Sequence, residues 1–286
     1  MEQISVISQI QARVQKARQE GKVISLVPTM GYFHEGHLSL MRYARKHSDL
    51  VLVSLFVNPT QFGPGEDFEA YPRDLERDKK LAQEQDVDIL FTPGKEEMYL
   101  LNHLTYVRVD KLDKFLCGRS RPTHFQGVCT VVLKLFNICQ PDFAVFGQKD
   151  WQQLIIIKKM VEDLNVGVKV VGHPIVREPD GLAMSSRNVY LSKEERKQAA
   201  NIYQGLLLAK KLVEQGEVET SRIKERVQNF YQEQIPLGKL DYLEIVHPFE
   251  LTSLERIEDK ALMAVAMQVG KARLIDNLLL RGSLDV

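Results

Sequence analysis

Apolar positions along this chain alternate between helical spacing and short continuous runs. Ile10, Val14 and Ala17 fall on one helical face, with Gly21 as a stop. A β-rich run over residues 23–27 follows and breaks at Pro28. The next helix is expected over 37–47, with Leu40, Ala44 and His47 on one stripe. Residues 50–57 are apolar at nearly every position, as a strand covered on both faces of a parallel sheet requires. Asn58, Pro59, Gly63, Pro64 and Gly65 then mark a long loop. A charged helix over 74–85, a strand over 88–91 and a short strand over 105–109 continue the alternation. Val128, Val132, Leu135 and Cys139 share a helical face ahead of a strand over 143–146. Leu154, Ile157, Val161 and Leu164 repeat the arrangement before a strand over 168–171. Strand followed by helix at this spacing predicts the α/β class with a doubly wound parallel sheet. In such sheets ligands bind beyond the carboxyl ends of the strands.

After Val176 the texture changes. Ser192 and Glu195 form a capping box that opens a long helix through Leu212. A second helix starts at Thr220 or Ser221, with Ile223, Val227 and Phe230 on one side. Strands are expected over 240–246, 262–269 and 273–280. The pattern divides the chain into a first domain, 1–175, and a smaller C-terminal α+β domain, 176–286.

Composition narrows the function classes. Of 286 residues, 44% are apolar and 27% charged, and the net charge is zero, so no bulk attraction to nucleic acid or to an anionic membrane is expected. The densest apolar run, 50–57, is far shorter than a membrane span. Residues 1–10 carry neither a basic leader nor an apolar core, so no signal peptide is expected. Cys117, Cys129 and Cys139 are odd in number and make no CxxC pair, which argues against a disulfide framework or a zinc site. The expectation is a cytoplasmic protein with reduced thiols.

The chemistry gathers at predicted strand ends. Pro28-Thr29-Met30-Gly31-Tyr32-Phe33-His34-Glu35-Gly36-His37 leads from a strand through two glycines into a helix. A helix N-terminus offers N–H groups and a partial positive charge to a phosphate. His34 and His37 project to one side and can donate hydrogen bonds to charge growing on it. Taken alone the pair reads as surface histidines on a tight turn; a zinc site lacks a third ligand. Asn58 and Gln61 in Phe56-Val57-Asn58-Pro59-Thr60-Gln61-Phe62 suit a small hydroxy acid, since Gln both donates and accepts. Phe146-Gly147-Gln148-Lys149-Asp150-Trp151-Gln152-Gln153 is again strand, glycine, helix, with Lys149 a second phosphate candidate and Gln153 one turn beyond it. Gly181-Leu182-Ala183-Met184-Ser185-Ser186-Arg187-Asn188 sets two hydroxyls beside a guanidinium. Arg121-Pro122-Thr123-His124 is a further polar cluster. Each segment alone has an ordinary turn or capping reading; together they describe a triphosphate site beside a small-acid pocket.

These segments closely resemble the pantoate–β-alanine ligase (pantothenate synthetase) family, itself similar to nucleotidylyltransferases and class I aminoacyl-tRNA synthetases. The likeness runs from about Val27 to Leu191, with weaker support from Asp241-Tyr242-Leu243-Glu244 and Ala272-Arg273-Leu274-Ile275-Asp276-Asn277. The resemblance implies a Rossmann-like first domain, a smaller domain closing over ATP, and a homodimer. It implies ATP-dependent joining of (R)-pantoate to β-alanine through a pantoyl adenylate, with AMP and pyrophosphate released. It places Met30 through His37, Gly147, Gln148, Lys149, Asp150, Val176 and Met184 through Arg187 on ATP. His37, His34 and Lys149 would be the catalytic groups, with His37 as proton donor. Gln61 and Gln153 would hold pantoate, with Gln61 also near β-alanine. Asn58, Arg121 and His124 are second-rank candidates. ATP is expected with Mg²⁺ riding on its phosphates, with no protein metal ligands and no bound prosthetic group. The partners implied are pantoate, β-alanine and ATP, with neither nucleic acid nor membrane among them. Gln148 and Trp151 depart from the family pattern, and the acidic positions around Asp78 match too loosely to assign. The loop 63–73 is a candidate lid. Three alternatives remain from residues alone: a plain nucleotidylyltransferase, a tRNA-dependent synthetase and a non-catalytic nucleotide sensor.

Overall fold

Residues 1–283 are described by a computed structural model, in which strands and helices alternate through the first 173 residues. The elements are β1 (Glu2–Ile4), α1 (Ile7–Gln19), β2 (Ile24–Thr29), α2 (Glu35–His47), β3 (Leu50–Leu55), α3 (Leu75–Glu84), β4 (Ile89–Phe91), α4 (Lys95–Met98), α5 (Cys117–Ser120), α6 (His124–Cys139), β5 (Phe143–Gly147), α7 (Trp151–Asp163) and β6 (Lys169–His173). Then come α8 (Lys193–Ala199), α9 (Asn201–Glu214), α10 (Thr220–Gln234), β7 (Gly238–Val246), β8 (Ala261–Val269) and β9 (Ala272–Arg281). The chain forms two compact units. The first holds Met1–Asp113, Arg121–Gln148 and Gln153–Pro174; the second holds Lys114–Ser120, Lys149–Gln152 and the chain from Ile175 onward.

The first unit is built on a six-stranded sheet in the order β1-β4-β3-β2-β5-β6. Every pairing is parallel. Ile24, Leu26, Val27, Val51, Leu52, Val53, Ala144 and Val145 are wholly buried in it. Each large aliphatic side chain so buried contributes about 1.5–3 kcal/mol. The chain steps from β2 through β3 to β4, then crosses to the other side of β2 to lay down β5 and β6. The order therefore reverses between β2 and β5. A crevice for ligands opens at such a reversal, beyond the carboxyl ends of the strands. Thr29 and Gly147, which end β2 and β5, introduce two of the motifs named above.

The second unit carries a three-stranded antiparallel sheet, β7-β8-β9. Ile202, Leu206, Ile223, Val227 and Tyr231 from α9 and α10 share a core with Ile245, Met263, Val265 and Met267. This is the α/β class, with a parallel sheet and a smaller α+β unit, that the sequence pattern predicts.

Several local expectations are overturned. Residues 105–109 form no ladder: Val107 N–H is satisfied instead by the Thr130 hydroxyl at 3.0 Å, so its β-rich composition finds no partner strand. Strand β1 pairs with β4 and is missed by periodicity because it is three residues long. Helix α2 starts at Glu35, and Met41 rather than His47 completes its buried stripe. The long helix after Ser192 is interrupted at Ala200, giving α8 and α9, although the capping box holds, with Ser192 Oγ accepting from Glu195 N at 3.3 Å. Phe230 packs partly buried against the core with Ile223 and Val227, as expected, while Tyr231 beside it is the more deeply buried, its hydroxyl donating to the Ile202 carbonyl at 2.8 Å. Leu164 lies past the end of α7 and is exposed.

Candidate active site

The β2–α2 connection turns sharply enough to need two successive left-handed residues, Gly31 at φ 84° and Tyr32 at φ 52°. A Cβ on Gly31 would stand 3.0 Å from both Asp78 Oδ2 and Leu55 Cδ2, so strain and crowding both select glycine. Asp78, buried on α3, accepts from Tyr32 N–H at 2.6 Å and Phe33 N–H at 2.7 Å. Burial pushes its carboxyl above the usual range, opposed by these two backbone donors. Arg77 donates to the Phe33 carbonyl at 2.8 Å and lies over the Tyr32 ring at 5.0 Å. Phe33 is fully buried against α2, which fixes where the histidines begin.

His34 caps α2. Its Nδ1 accepts from Gly36 N–H at 3.1 Å, and its own N–H donates to His37 Nδ1 at 3.4 Å. The rings lie 4.1 Å apart between centroids, tilted 32° to each other. With both Nδ1 atoms accepting, the hydrogen-bond network assigns the proton of each neutral ring to Nε2. Each imidazole thus presents an Nε2–H donor. The amides of Gly31, His34 and Gly36 are engaged within the β2–α2 segment, and those of Tyr32 and Phe33 by Asp78 of α3. Donation to an anion therefore falls on imidazole side chains more than on the bare helix end. Glu35 ion-pairs with Arg42 along the helix.

Gln61 ends a 3-10 turn, Pro59–Gln61, that is pressed onto α6. A Cβ on Gly127 would come within 2.4 Å of the Thr60 carbonyl oxygen, so only glycine permits this approach. Asn58, 1% exposed, donates to Gln61 Oε1 at 3.2 Å and to the Gly127 carbonyl at 3.1 Å. Its own oxygen accepts from Tyr99 OH at 2.9 Å and Thr60 Oγ1 at 3.0 Å. Gln61 Nε2 reaches Met30 Sδ at 3.0 Å. Arg121 grips Glu66 at 2.8 and 2.5 Å and donates to the Gln61 carbonyl at 3.2 Å, where His124 Nδ1 also donates at 2.9 Å. All three second-rank residues thus converge on Gln61: Asn58 holds its side chain, Arg121 and His124 its carbonyl. Glu66 ties the 63–73 loop to Arg121, and Arg73 closes that loop on the carbonyls of Phe68, Glu69 and Tyr71. Gln153 sits half-buried in the first turn of α7.

In the second unit, Lys149 lies in the 3-10 turn Gln148–Asp150, its ammonium 4.0 Å from the Asp150 carboxylate and its carbonyl bonded by Asn277 Nδ2 at 3.0 Å. Trp151 Nε1 donates to the Pro248 carbonyl at 2.7 Å, and Gln152 joins the Phe115 carbonyl and Cys117 N–H at 2.7 and 3.0 Å. Arg177 and Ala183 pair as an antiparallel bridge, and Met184 N–H donates to the Val176 carbonyl at 3.0 Å. That ladder delivers Ser185, whose Oγ accepts from Arg187 N–H at 3.2 Å and caps the turn Ser186–Tyr190. Ser186 is buried. In the first unit, Gln148 Nε2 donates to the Gly172 carbonyl at 3.4 Å beside Gly147.

The residues to which sequence reasoning gives no role are acidic and amide groups that hold these loops: Asp78, named but unassigned, Asp276 and Asn277, quoted only for the resemblance, and Arg177, which it misses. Among the described residues, no cluster of three or more His, Cys, Asp or Glu side chains could hold a metal ion. None of the described helices is long and apolar enough to cross a membrane. The three cysteines are buried, and burial pushes the thiols of Cys129 and Cys139 up to about 12.

Comparison with known proteins gives a consistent result. The family model described as pantoate-beta-alanine ligase matches residues 2–279. Pantothenate synthetase of Nitratidesulfovibrio vulgaris (Miyazaki F) is 60% identical over 265 residues, 93% of this chain and 94% of that protein. The crystal structure of pantothenate synthetase from Thermus thermophilus superposes with a TM-score of 0.93 at 46% identity, covering 98% of this chain and all of that one. The pantoate-beta-alanine ligase of Francisella tularensis, solved in complex with β-γ ATP and β-alanine, gives a TM-score of 0.82 at 32% identity over 98% of both chains.

Proposed function

The chain belongs to the pantoate–β-alanine ligase family, and from that premise we propose how its residues divide the ATP-dependent joining of pantoate to β-alanine. The observation that carries the reading is the reciprocal His34–His37 cap after β2, in which the Nδ1 of each ring accepts a backbone N–H and the ring proton is left on Nε2.

In the first half-reaction a carboxylate oxygen of pantoate attacks the α-phosphorus of Mg-ATP. The bond from that phosphorus to the bridging oxygen breaks, pyrophosphate leaves, and pantoyl adenylate forms. His34 and His37 donate to phosphate oxygens as charge builds, and Lys149, Ser185, Ser186 and Arg187 hold the phosphate chain. Met30 through His37, Gly147 through Asp150, Val176 and Met184 complete the nucleotide contacts. Mg²⁺ enters with ATP and needs few protein ligands. Gln61 and Gln153 bind pantoate. Asn58, Arg121 and His124 act through Gln61, since their polar groups are already directed to it or to its neighbours. In the second half-reaction the neutral amine of β-alanine, held near Gln61, attacks the acyl carbon, the C–O bond to AMP breaks, and the amine proton is lost. Proximity supplies much of that rate, because the mixed anhydride is already reactive.

The chain works as a cytoplasmic homodimer in this reading. Leu100, Leu101, Leu104 and Tyr106, exposed within one short stretch of the first unit, support a covered surface in the assembled protein.

The test is product release from Mg-ATP with each substrate withheld in turn. AMP and pantothenate are expected only with both acids present, and pyrophosphate with pantoate alone. AMP transfer to another acceptor without β-alanine would replace this reading with a nucleotidylyltransferase.

A further inference from the structure

The segment Ala272-Arg273-Leu274-Ile275-Asp276-Asn277 opens β9 and has no part in the chemistry described so far. Its last two residues are buried polar groups, 3% and 6% exposed. Asn277 donates its amide to the Lys149 carbonyl at 3.0 Å, and its own N–H donates to Asp276 Oδ1 at 2.8 Å. Asp276 receives both ends of the Arg177 guanidinium, at 2.6 and 3.0 Å. Arg177 also donates to the Gly181 carbonyl at 3.1 Å and lies 3.6 Å over the Tyr203 ring. Its backbone pairs with Ala183, directly before Met184-Ser185-Ser186-Arg187. One buried polar unit therefore reaches the Lys149 turn at one end and the root of the Ser-Ser-Arg loop at the other. Both ends lie in the second unit.

A buried ion pair is a poor device for stability alone, since well-packed apolar side chains often do as well or better in its place. Its bidentate geometry does fix distance and angle. Lys149 and Arg187 lie 38 positions apart in sequence and must meet one phosphate chain with matched geometry. We propose that Asp276 and Asn277 are positioning residues for adenylate formation, setting the Lys149 turn and the Ser185–Arg187 loop in register with each other. The assignment rests on the reading of Lys149 as a phosphate ligand. Gln61 and Gln153, the residues read as holding pantoate, both belong to the first unit, so the inference also separates the two substrates: ATP handling depends on the pair and pantoate affinity does not.

The experiment is pantoate-dependent pyrophosphate release under single turnover for Lys149→Ala, Asn277→Ala and the double variant, with KM for pantoate and for ATP in each. A displacement of about 1 Å in a catalytic group costs on the order of 10²-fold, so Asn277→Ala should slow the step by roughly 10- to 10²-fold. In the Lys149→Ala background the same change should cost less than about 2-fold, because Asn277 acts through Lys149. KM for pantoate should stay at its wild-type value. Near-wild-type release by Lys149→Ala would remove the underlying phosphate reading instead. With Lys149→Ala impaired, a harmless Asn277→Ala, or one equally harmful in both backgrounds, overturns the inference. If Asn277→Ala does not fold, Asn277→Ser, too short to reach the Lys149 carbonyl, is scored the same way. Failure of both to fold would make Asn277 a scaffold residue and overturn it as well.

Discussion

The β2–α2 loop and the second unit's Lys149 turn with its Ser-Ser-Arg loop both present side chains suited to phosphate, and both stand over a buried carboxylate. The two carboxylates work differently. Asp78 accepts backbone N–H groups directly, at 2.6 and 2.7 Å, and its nearest cation, Arg77, is partly exposed and 3.7 Å away. Asp276 touches neither loop's tip; it holds Arg177 and Asn277, and these hold the backbone. A direct clamp is short and depends on the carboxylate remaining an acceptor on both oxygens. A relayed clamp reaches two segments at once, and its guanidinium helps keep the acid charged. Burial holds Asp276 above the usual carboxylate range as it does Asp78, and the bidentate Arg177 offsets part of that rise.

Removing the partner cation should expose that difference most. Arg177→Ala strands a buried carboxylate and is expected to cost about 3–5 kcal/mol, read as a fall in denaturation midpoint at unchanged m-value. A loss below about 1 kcal/mol would mean that Asp276 is sustained by its other neighbours. On activity, His37→Ala should lower adenylate formation by about 10²–10³-fold, as for one transition-state donor. Wild-type turnover would remove the Nε2–H pair from the mechanism.

Asp78→Asn attacks the direct clamp. Asparagine has one acceptor oxygen, and its amide hydrogens would oppose a second N–H, so the loop should shift and ATP affinity should fall, as measured by ligand titration. The same clamp carries a pH signature. Protonation replaces one accepting oxygen by an O–H, so activity should fall in acid at a pH above the ordinary carboxylate range, because burial raises this group. Stability moves the other way. A folded pKa above the unfolded one means that the native state binds the proton first, so this group's contribution to stability rises as pH falls through that window. Comparing wild type with Asp78→Asn isolates both effects; an acid limb that survives in the variant would assign it to another group. The smallest change expected is Arg77→Ala, below about 1 kcal/mol by thermal melt, since that partner is a half-exposed ion.

The sequence exposes the parallel sheet and its motif-bearing strand ends because both are local. Continuous apolar runs become β2, β3 and β5, and glycine with polar groups follows at once. What stays hidden is whatever acts across distance. Asp78 is 46 positions from Tyr32, and Asp276 is 99 from Arg177. A carboxylate whose partners are backbone amides leaves no pattern in side-chain spacing. The run over 105–109 shows the converse failure: β-forming residues make no strand, and the Val107 N–H is taken by a side chain instead of a ladder. The second-rank status of Asn58, Arg121 and His124 has the same origin, since nothing local reveals that all three turn toward Gln61.

The anchoring of Lys149–Gln152 also bears on the order in which the nascent protein matures. The acceptor for the Trp151 indole lies 97 residues downstream, and the amide that bonds Lys149 lies 128 residues downstream. At roughly 5–20 residues per second on the ribosome, the turn waits on the order of ten seconds for its last anchor. By then β1 through β5 have long emerged and can pair. Catalytic competence should therefore arrive late and abruptly, when β9 is released, and a chain stalled before Asn277 should carry an assembled sheet with no working phosphate site.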